Sequence, residues 1–120
     1  MAKILIVDDS PTEVHILSTI LKGAGYGVVT ANDGELGVKA AKEHKPDLIL
    51  MDVVMPGLNG FQATRELSKD QTTSSIPVIL VTTKDQETDK TWGMRQGAKD
   101  YVVKPVSDTE LLAKIKAVLG

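Results

Sequence analysis

Five short apolar runs, each followed by a helix-like stretch, constrain this chain more than any other feature of its sequence. The runs are Ile4 to Val7, Val28 to Ala31, Leu48 to Met51, Val78 to Val81 and Tyr101 to Val103. Strands separated by helices do not pair as hairpins. The helices carry the chain back across the sheet, so the strands run parallel and the fold class is α/β. The runs at Ile4, Leu48 and Val78 are apolar throughout, which suits strands covered on both faces. The second and fifth are more mixed and read as the sheet edges.

Local signals place the helices between these runs. Ser10-Pro11-Thr12-Glu13 opens the first helix with capping-box spacing and a proline at its first position, and Val14, Leu17, Ile20 and Leu21 form its apolar stripe. A second such box, Ser107 to Glu110, opens the last helix, whose Leu111, Ile115, Val118 and Leu119 recur at helical spacing before Gly120. The fourth helix, Gln86 to Gln96, is the weak one. Its only large apolar residues are Trp92 and Met94, and Gly93 in its interior costs about 1 kcal/mol relative to alanine. It is expected to be the most mobile helix. Trp92 reads as well as a partner anchor as it does as a side chain packed on its own helix.

At 120 residues the chain has the size of one domain with its own core. No repeat, low-complexity tract or linker divides it, and its most polar stretch, Ser68 to Ser75, reads as a loop between a helix and a strand. A single domain over residues 1–120 without an output domain is the expectation. Lys plus Arg number 14 and Asp plus Glu 16, and the net charge of -2 offers no basic footprint for nucleic acid or an anionic membrane. The lack of cysteine excludes disulfides, thiolate metal sites and cysteine nucleophiles. The apolar run at the start is too short for a signal peptide or a membrane span, so a cytoplasmic protein without membrane insertion is expected.

Open parallel sheets gather their ligands outside the carboxyl ends of the strands. Here the first strand ends in Asp8-Asp9, the third in Asp52, the fourth in Thr82-Thr83 and the fifth in Lys104-Pro105. If these ends are neighbours, three carboxylates meet beside one lysine, and their repulsion must be offset by a cation or by proton uptake. With only carboxylate, carbonyl and water oxygens on offer, Mg²⁺ fits better than zinc. A carboxylate beside Mg²⁺, a hydroxyl and a lysine has the parts to form an aspartyl phosphate, with Asp52 as nucleophile. The histidines lie elsewhere: His15 reads as a solvated residue of the first helix, and His44 as a favourable charge near a helix C-terminus.

Val7-Asp8-Asp9-Ser10, Met51-Asp52, Met55-Pro56-Gly57, Gly60, Val81-Thr82 and Lys104-Pro105 resemble the receiver domains of two-component response regulators over essentially the whole chain. The resemblance implies a doubly wound (βα)5 fold of the CheY-like, flavodoxin-like kind, with strand order 2-1-3-4-5. It implies that Asp52 is the phosphoacceptor and that Asp8, Asp9, Asp52 and the backbone carbonyl of Val54 hold Mg²⁺. Thr82 and Lys104 would then bind the phosphoryl oxygens, Lys104-Pro105 would be cis, and Thr82 with Tyr101 would form the switch. Val54 and Lys84 stand where the family tunes dephosphorylation, and Thr83 replaces the usual small residue.

The implied partners are a CheA-like histidine kinase and a downstream motility or signalling protein, met through the face of the fourth helix, fifth strand and fifth helix. The implied activity is that of a self-phosphorylating acceptor with autodephosphorylation, not a conventional enzyme, and a monomer is expected. Longer stretches, Met55 to Arg65 and Thr82 to Lys90, continued by Trp92-Gly93, Arg95 to Ala98 and Asp100-Tyr101, are similar to single-domain regulators of type IV pilus twitching motility. They imply control of pilus motility or of chemotaxis-like signalling.

Other classes fare less well. A haloacid-dehalogenase-type phosphatase needs a second acid two residues after its aspartate, and Val54 stands there. A dinucleotide-binding domain needs its glycines between first strand and first helix, whereas Gly23 to Gly27 follows a helix, as a C-cap and turn. A phosphate sink for a shared kinase and a phosphorylation-independent binding module stay open as alternatives.

Overall fold

The computed structural model describes residues 1–120. The elements are β1 (Lys3–Val7), α1 (Pro11–Gly23), β2 (Gly27–Ala31), α2 (Gly34–His44), β3 (Leu48–Met51), α3 (Gly60–Lys69), β4 (Val78–Thr82), α4 (Glu87–Arg95), β5 (Asp100–Val103) and α5 (Asp108–Leu119). The strands form one parallel sheet in the order β2-β1-β3-β4-β5, so the mixed strands β2 and β5 are its edges as expected.

Side chains alternate across the sheet and divide the core into two layers. Ile4 and Ile6 of β1 pack with Leu17 and Leu21 of α1 and with Leu111 and Ile115 of α5. Leu5 and Val7 face the other way, toward Ala41 of α2 and Ala63 and Leu67 of α3. No residue of β3, β4 or the Ile4–Val7 part of β1 is more than 2% exposed, which is why these strands read as unbroken apolar runs. Each large side chain buried there stabilises the fold by about 1.5–3 kcal/mol. No helix is long and apolar enough to cross a membrane.

Two sequence expectations need correction. Ser10 and Ser107 do cap α1 and α5 by accepting from Glu13 N–H and Glu110 N–H, both at 3.3 Å, but neither box closes in return. Ser10 N–H donates instead to Asp8 Oδ1 at 2.9 Å. Ser68 and Lys69 belong to the last turn of α3 and not to a loop. Ser68 Oγ donates to Thr64 O at 2.9 Å and to Gln96 O at 3.0 Å, tying α3 to the end of α4, and the nearby Thr73 is fully buried with its hydroxyl on Leu67 O at 2.8 Å.

Gly93 keeps its cost in helix propensity but has a use. It is the one buried residue of α4, and a Cβ there would stand 2.5 Å from Leu80 Cδ1 and 3.4 Å from Phe61 Cε1. The glycine that weakens the helix is thus what lets it lie against β4. Trp92 and Met94 are 49% and 46% exposed, so each is half covered and half open to solvent, as either reading of Trp92 allows.

Candidate functional site

Four neighbouring strand ends build the site. β1 runs into Asp8 and Asp9, β3 into Asp52 and β5 into Lys104, while β4 stops on Thr82. The ladder holds their backbones: Asp8 N–H donates to Ala31 O (3.1 Å), Asp52 N–H to Val7 O (2.9 Å) and Lys104 N–H to Thr82 O (2.8 Å). The Lys104–Pro105 peptide is cis. Behind Asp52, the N-terminus of α3 comes so close that a side chain at Gly60 would collide with Asp52 O, and Gly60 N–H donates to Val53 O at 3.0 Å.

Carboxylate oxygens of Asp8, Asp9 and Asp52 lie within 4.8 Å of one another. Asp8 and Asp52 are buried, at 1% and 7% exposure, and Asp9 is open to solvent. Lys104 Nζ donates to Asp8 Oδ2 at 2.8 Å and stands 3.7 Å from Asp52 Oδ2. Burial pushes the Asp52 carboxyl above the usual carboxylate range; Lys104 opposes this, Asp8 adds to it, and hydrogen bonds from Val53 and Val54 N–H oppose it. Burial works against the Lys104 ammonium too, but the Asp8 hydrogen bond and the charges of Asp52, Asp8 and Glu13 outweigh it and hold the lysine above its ordinary value.

One ammonium facing three carboxylates leaves two negative charges uncompensated. All the donors are hard oxygens and one, Asp9, is reached by solvent, a combination that fits a hard divalent cation such as Mg²⁺.

Thr82 and Tyr101 lie beside this cluster, and no hydrogen bond joins either to Asp52. Both instead end on one residue: the fully buried Thr82 Oγ1 accepts from Lys84 N–H at 3.4 Å, and Tyr101 OH donates to Lys84 O at 2.8 Å. Burial, reinforced by the charges of Asp89, Asp85 and Asp52, pushes the Tyr101 phenol up to about 12. Lys84 Nζ is 3.7 Å from Asp89, and the Val54 side chain is 56% exposed.

One residue escaped the sequence reading. Glu13 Oε2 lies 4.0 Å from Lys104 Nζ. Its spacing from Ser10 marked it as a capping partner, but Asp8 takes the Ser10 N–H and leaves the Glu13 carboxylate free to approach the lysine. Its place in the first turn after the acid pair was the available signal.

The family model for the response regulator receiver domain matches residues 4–116. The chain is 63% identical to Protein PilH of Pseudomonas aeruginosa over 120 residues, covering 100% of this chain and 99% of that one. It spans about half or less of several longer curated relatives. Among solved structures, the chemotaxis protein CheY4 of Vibrio cholerae superposes with a TM-score of 0.92 at 34% identity, over 98% of both chains. The receiver domain of a Pseudomonas aeruginosa sensor histidine kinase, with a magnesium ion coordinated in its active site cleft, gives 0.92 at 31% identity over 99% of this chain and 98% of that one. With its sheet order, its acid cluster and these likenesses in agreement, the chain belongs to the response regulator receiver domain family.

Proposed function

We propose that this chain is a phosphorylation switch that accepts a phosphoryl group on Asp52 from a CheA-like histidine kinase. One observation carries the reading: a buried carboxylate at the end of a central strand, with two further carboxylates within 4.8 Å and a lysine ammonium 3.7 Å away. In the transfer an Asp52 oxygen bonds to phosphorus as the N–P bond of the donor phosphohistidine breaks, and the released imidazole nitrogen takes up a proton.

Asp8, Asp9, Asp52 and the carbonyl of Val54 would hold Mg²⁺, which when bound balances charge on the phosphoryl oxygens. The chain's own residues do the rest. Burial strips water from Asp52, and Lys104, already between Asp8 and Asp52, is within reach of a phosphoryl group added there. The acceptor keeps its product until water removes it, so it is not an enzyme of ordinary turnover. Val54 and Lys84 flank the approach and set that lifetime.

The new group carries a charge of about -1.5 to -2. It draws the Thr82 hydroxyl away from Lys84 N–H, and since Tyr101 holds the carbonyl of the same residue, the β4–α4 loop shifts at both hydrogen bonds together. A phosphoryl group biases the switch by binding better to this rearranged state. The change emerges on the face of α4, β5 and α5, where a downstream protein reads it.

Control of type IV pilus motility, by a monomeric cytoplasmic single-domain regulator, is the role favoured by the full-length likeness to PilH. Phosphate uptake from a small-molecule phosphodonor, followed by mass with and without Mg²⁺, tests the chemistry. Uptake is expected with Mg²⁺ and not in Asp52→Asn; a wild type that takes up none refutes it.

A further inference from the structure

One charged side chain at the site has no task in the transfer. Glu13 stands in the first turn of α1, where its N–H donates to Ser10 Oγ at 3.3 Å. A glutamate at this position ordinarily accepts from the N–H of the capping residue, but Asp8 Oδ1 takes the Ser10 N–H at 2.9 Å. The Glu13 carboxylate is left to face Lys104 Nζ at 4.0 Å. Its side chain is 27% exposed and that of Lys104 8%, so the glutamate is the more open of the pair. Because the same ammonium stands 3.7 Å from Asp52 Oδ2, the two carboxylates lie within about 8 Å of each other, a span no longer than the Debye length at physiological ionic strength.

Glu13 alters the charge balance of the site. In formal charge, Asp8, Asp9 and Asp52 against Lys104 leave two negative charges, which a divalent cation on the three carboxylates would balance in full. Glu13 is the charge left over. With it, the site loaded with such a cation still presents one net negative charge to an incoming phosphodonor; without it, none.

Phosphodonors differ in the charge they bring. An acyl phosphate carries close to two negative charges near neutral pH. In phosphoramidate the nitrogen is protonated, so the net charge is close to one, and the basic ring of a phosphohistidine lowers its charge in the same way. The transfers are otherwise alike. The Asp52 O–P bond forms as the P–O bond of acetyl phosphate breaks and acetate departs with the bonding pair, or as the P–N bond of phosphoramidate breaks and ammonia departs with it. No proton is gained or lost in either. Lys104 serves both donors equally, and a fixed charge beside it does not.

Given phosphoryl transfer to Asp52 as set out above, we propose that Glu13 is a specificity-determining residue for the donor. Its charge disfavours dianionic acyl phosphates more than phosphoryl groups carried on a basic nitrogen, and so favours a phosphohistidine over free acyl phosphates.

The test measures initial rates of phosphate uptake by mass, in the full chain with Mg²⁺ and well below donor saturation, from acetyl phosphate and from phosphoramidate. For a carboxylate partly screened by solvent, each unit of donor charge is worth about threefold, so Glu13→Gln should speed uptake about threefold from phosphoramidate and about tenfold from acetyl phosphate. The change in ratio should fade in about 1 M salt, where the Debye length is about 3 Å. Glu13→Asp keeps the charge and should keep the wild-type ratio. With no donor present, Glu13→Gln should bind Mg²⁺ about tenfold more weakly in an amide-shift titration, since the same charge acts on a dication with the opposite sign. Equal factors for the two donors would mean that Glu13 only places Lys104. That result, a ratio shift shared by Glu13→Asp, or an unchanged Mg²⁺ affinity overturns the proposal and leaves transfer to Asp52 standing. A wild type that takes up phosphate from neither donor overturns both.

Discussion

Replacing Asp52 with asparagine should make the metal-free protein more stable. Two carboxylates at the 4.8 Å limit of this cluster repel by about 3.5 kcal/mol at an effective dielectric of about 20, and Lys104, 3.7 Å from Asp52, attracts it by about 4.5 kcal/mol. With Asp8 counted fully and the exposed Asp9 discounted for solvent, repulsion and attraction nearly cancel, and the burial of the Asp52 charge decides the sign. An isosteric amide removes that charge and keeps the acceptor for Val53 N–H, found at 2.8 Å. The expected gain is about 1–3 kcal/mol, or about 3–5 °C in Tm for each kcal/mol in a chain of this size. The pH dependence has a definite sign. Because the Asp52 carboxyl is raised in the folded state, the native protein holds this proton more tightly than the unfolded chain does. Wild-type stability therefore falls as pH rises from the ordinary 3.8 through the raised value, and the amide escapes that loss. Urea titrations in EDTA should show a small gap near about pH 4.5 and a wider one near about pH 7.5, closing when Mg²⁺ is added. A variant no more stable than wild type at neutral pH without metal, or a gap indifferent to pH, would refute the reasoning.

Three other measurements probe the elements around the site. A tyrosine should titrate near 12 by phenolate absorbance and vanish in Tyr101→Phe; since the neutral phenol is favoured in the fold, stability is lost as pH rises from 10 through 12. A wild type with no tyrosine titrating near 12 would mean that the Tyr101 phenol is not held buried among the carboxylates of Asp89, Asp85 and Asp52. Gly93→Ala gains about 1 kcal/mol of helix propensity but drives a methyl into Leu80, so a net loss of about 1 kcal/mol is expected in denaturant titration. A more stable variant would show that Leu80 has room to move. Amide exchange should be fastest in α4 among the helices, since Gly93 is its one buried residue, and protection equal to that of α1 would contradict this.

Much of this was legible in the sequence because the governing forces are local or general. A strand covered on both faces must be apolar throughout, so β1, β3 and β4 announced themselves, and a parallel sheet must collect its strand ends on one side, so Asp8, Asp9, Asp52 and Lys104 were found before any geometry. What stayed hidden depends on competition between partners far apart in the chain. Ser68 looked like a loop residue because its hydroxyl is polar; it stays helical because Thr64 O and Gln96 O accept from it, and Gln96 is 28 positions away. Glu13 looked like a cap because the rival for Ser10 N–H, Asp8, earns no notice in a capping pattern. The cost of Gly93 was visible at once, whereas its benefit requires Leu80 and Phe61 from two other elements.

These hidden contacts converge on α4. One end of the helix is tied by Ser68 to the Gln96 carbonyl, its middle rests through Gly93 on Leu80, and the loop before it hangs on Thr82 and Tyr101 through the two backbone groups of Lys84. None of the attachments is a large apolar burial, so each can be lost at a cost of about 1 kcal/mol or less without opening the core. The attachment nearest the acid cluster is also the longest hydrogen bond of the set, at 3.4 Å. On the proposed function, a change of charge at Asp52 would act first where α4 is held least, and the moving loop would displace Tyr101, which is bonded to the same residue.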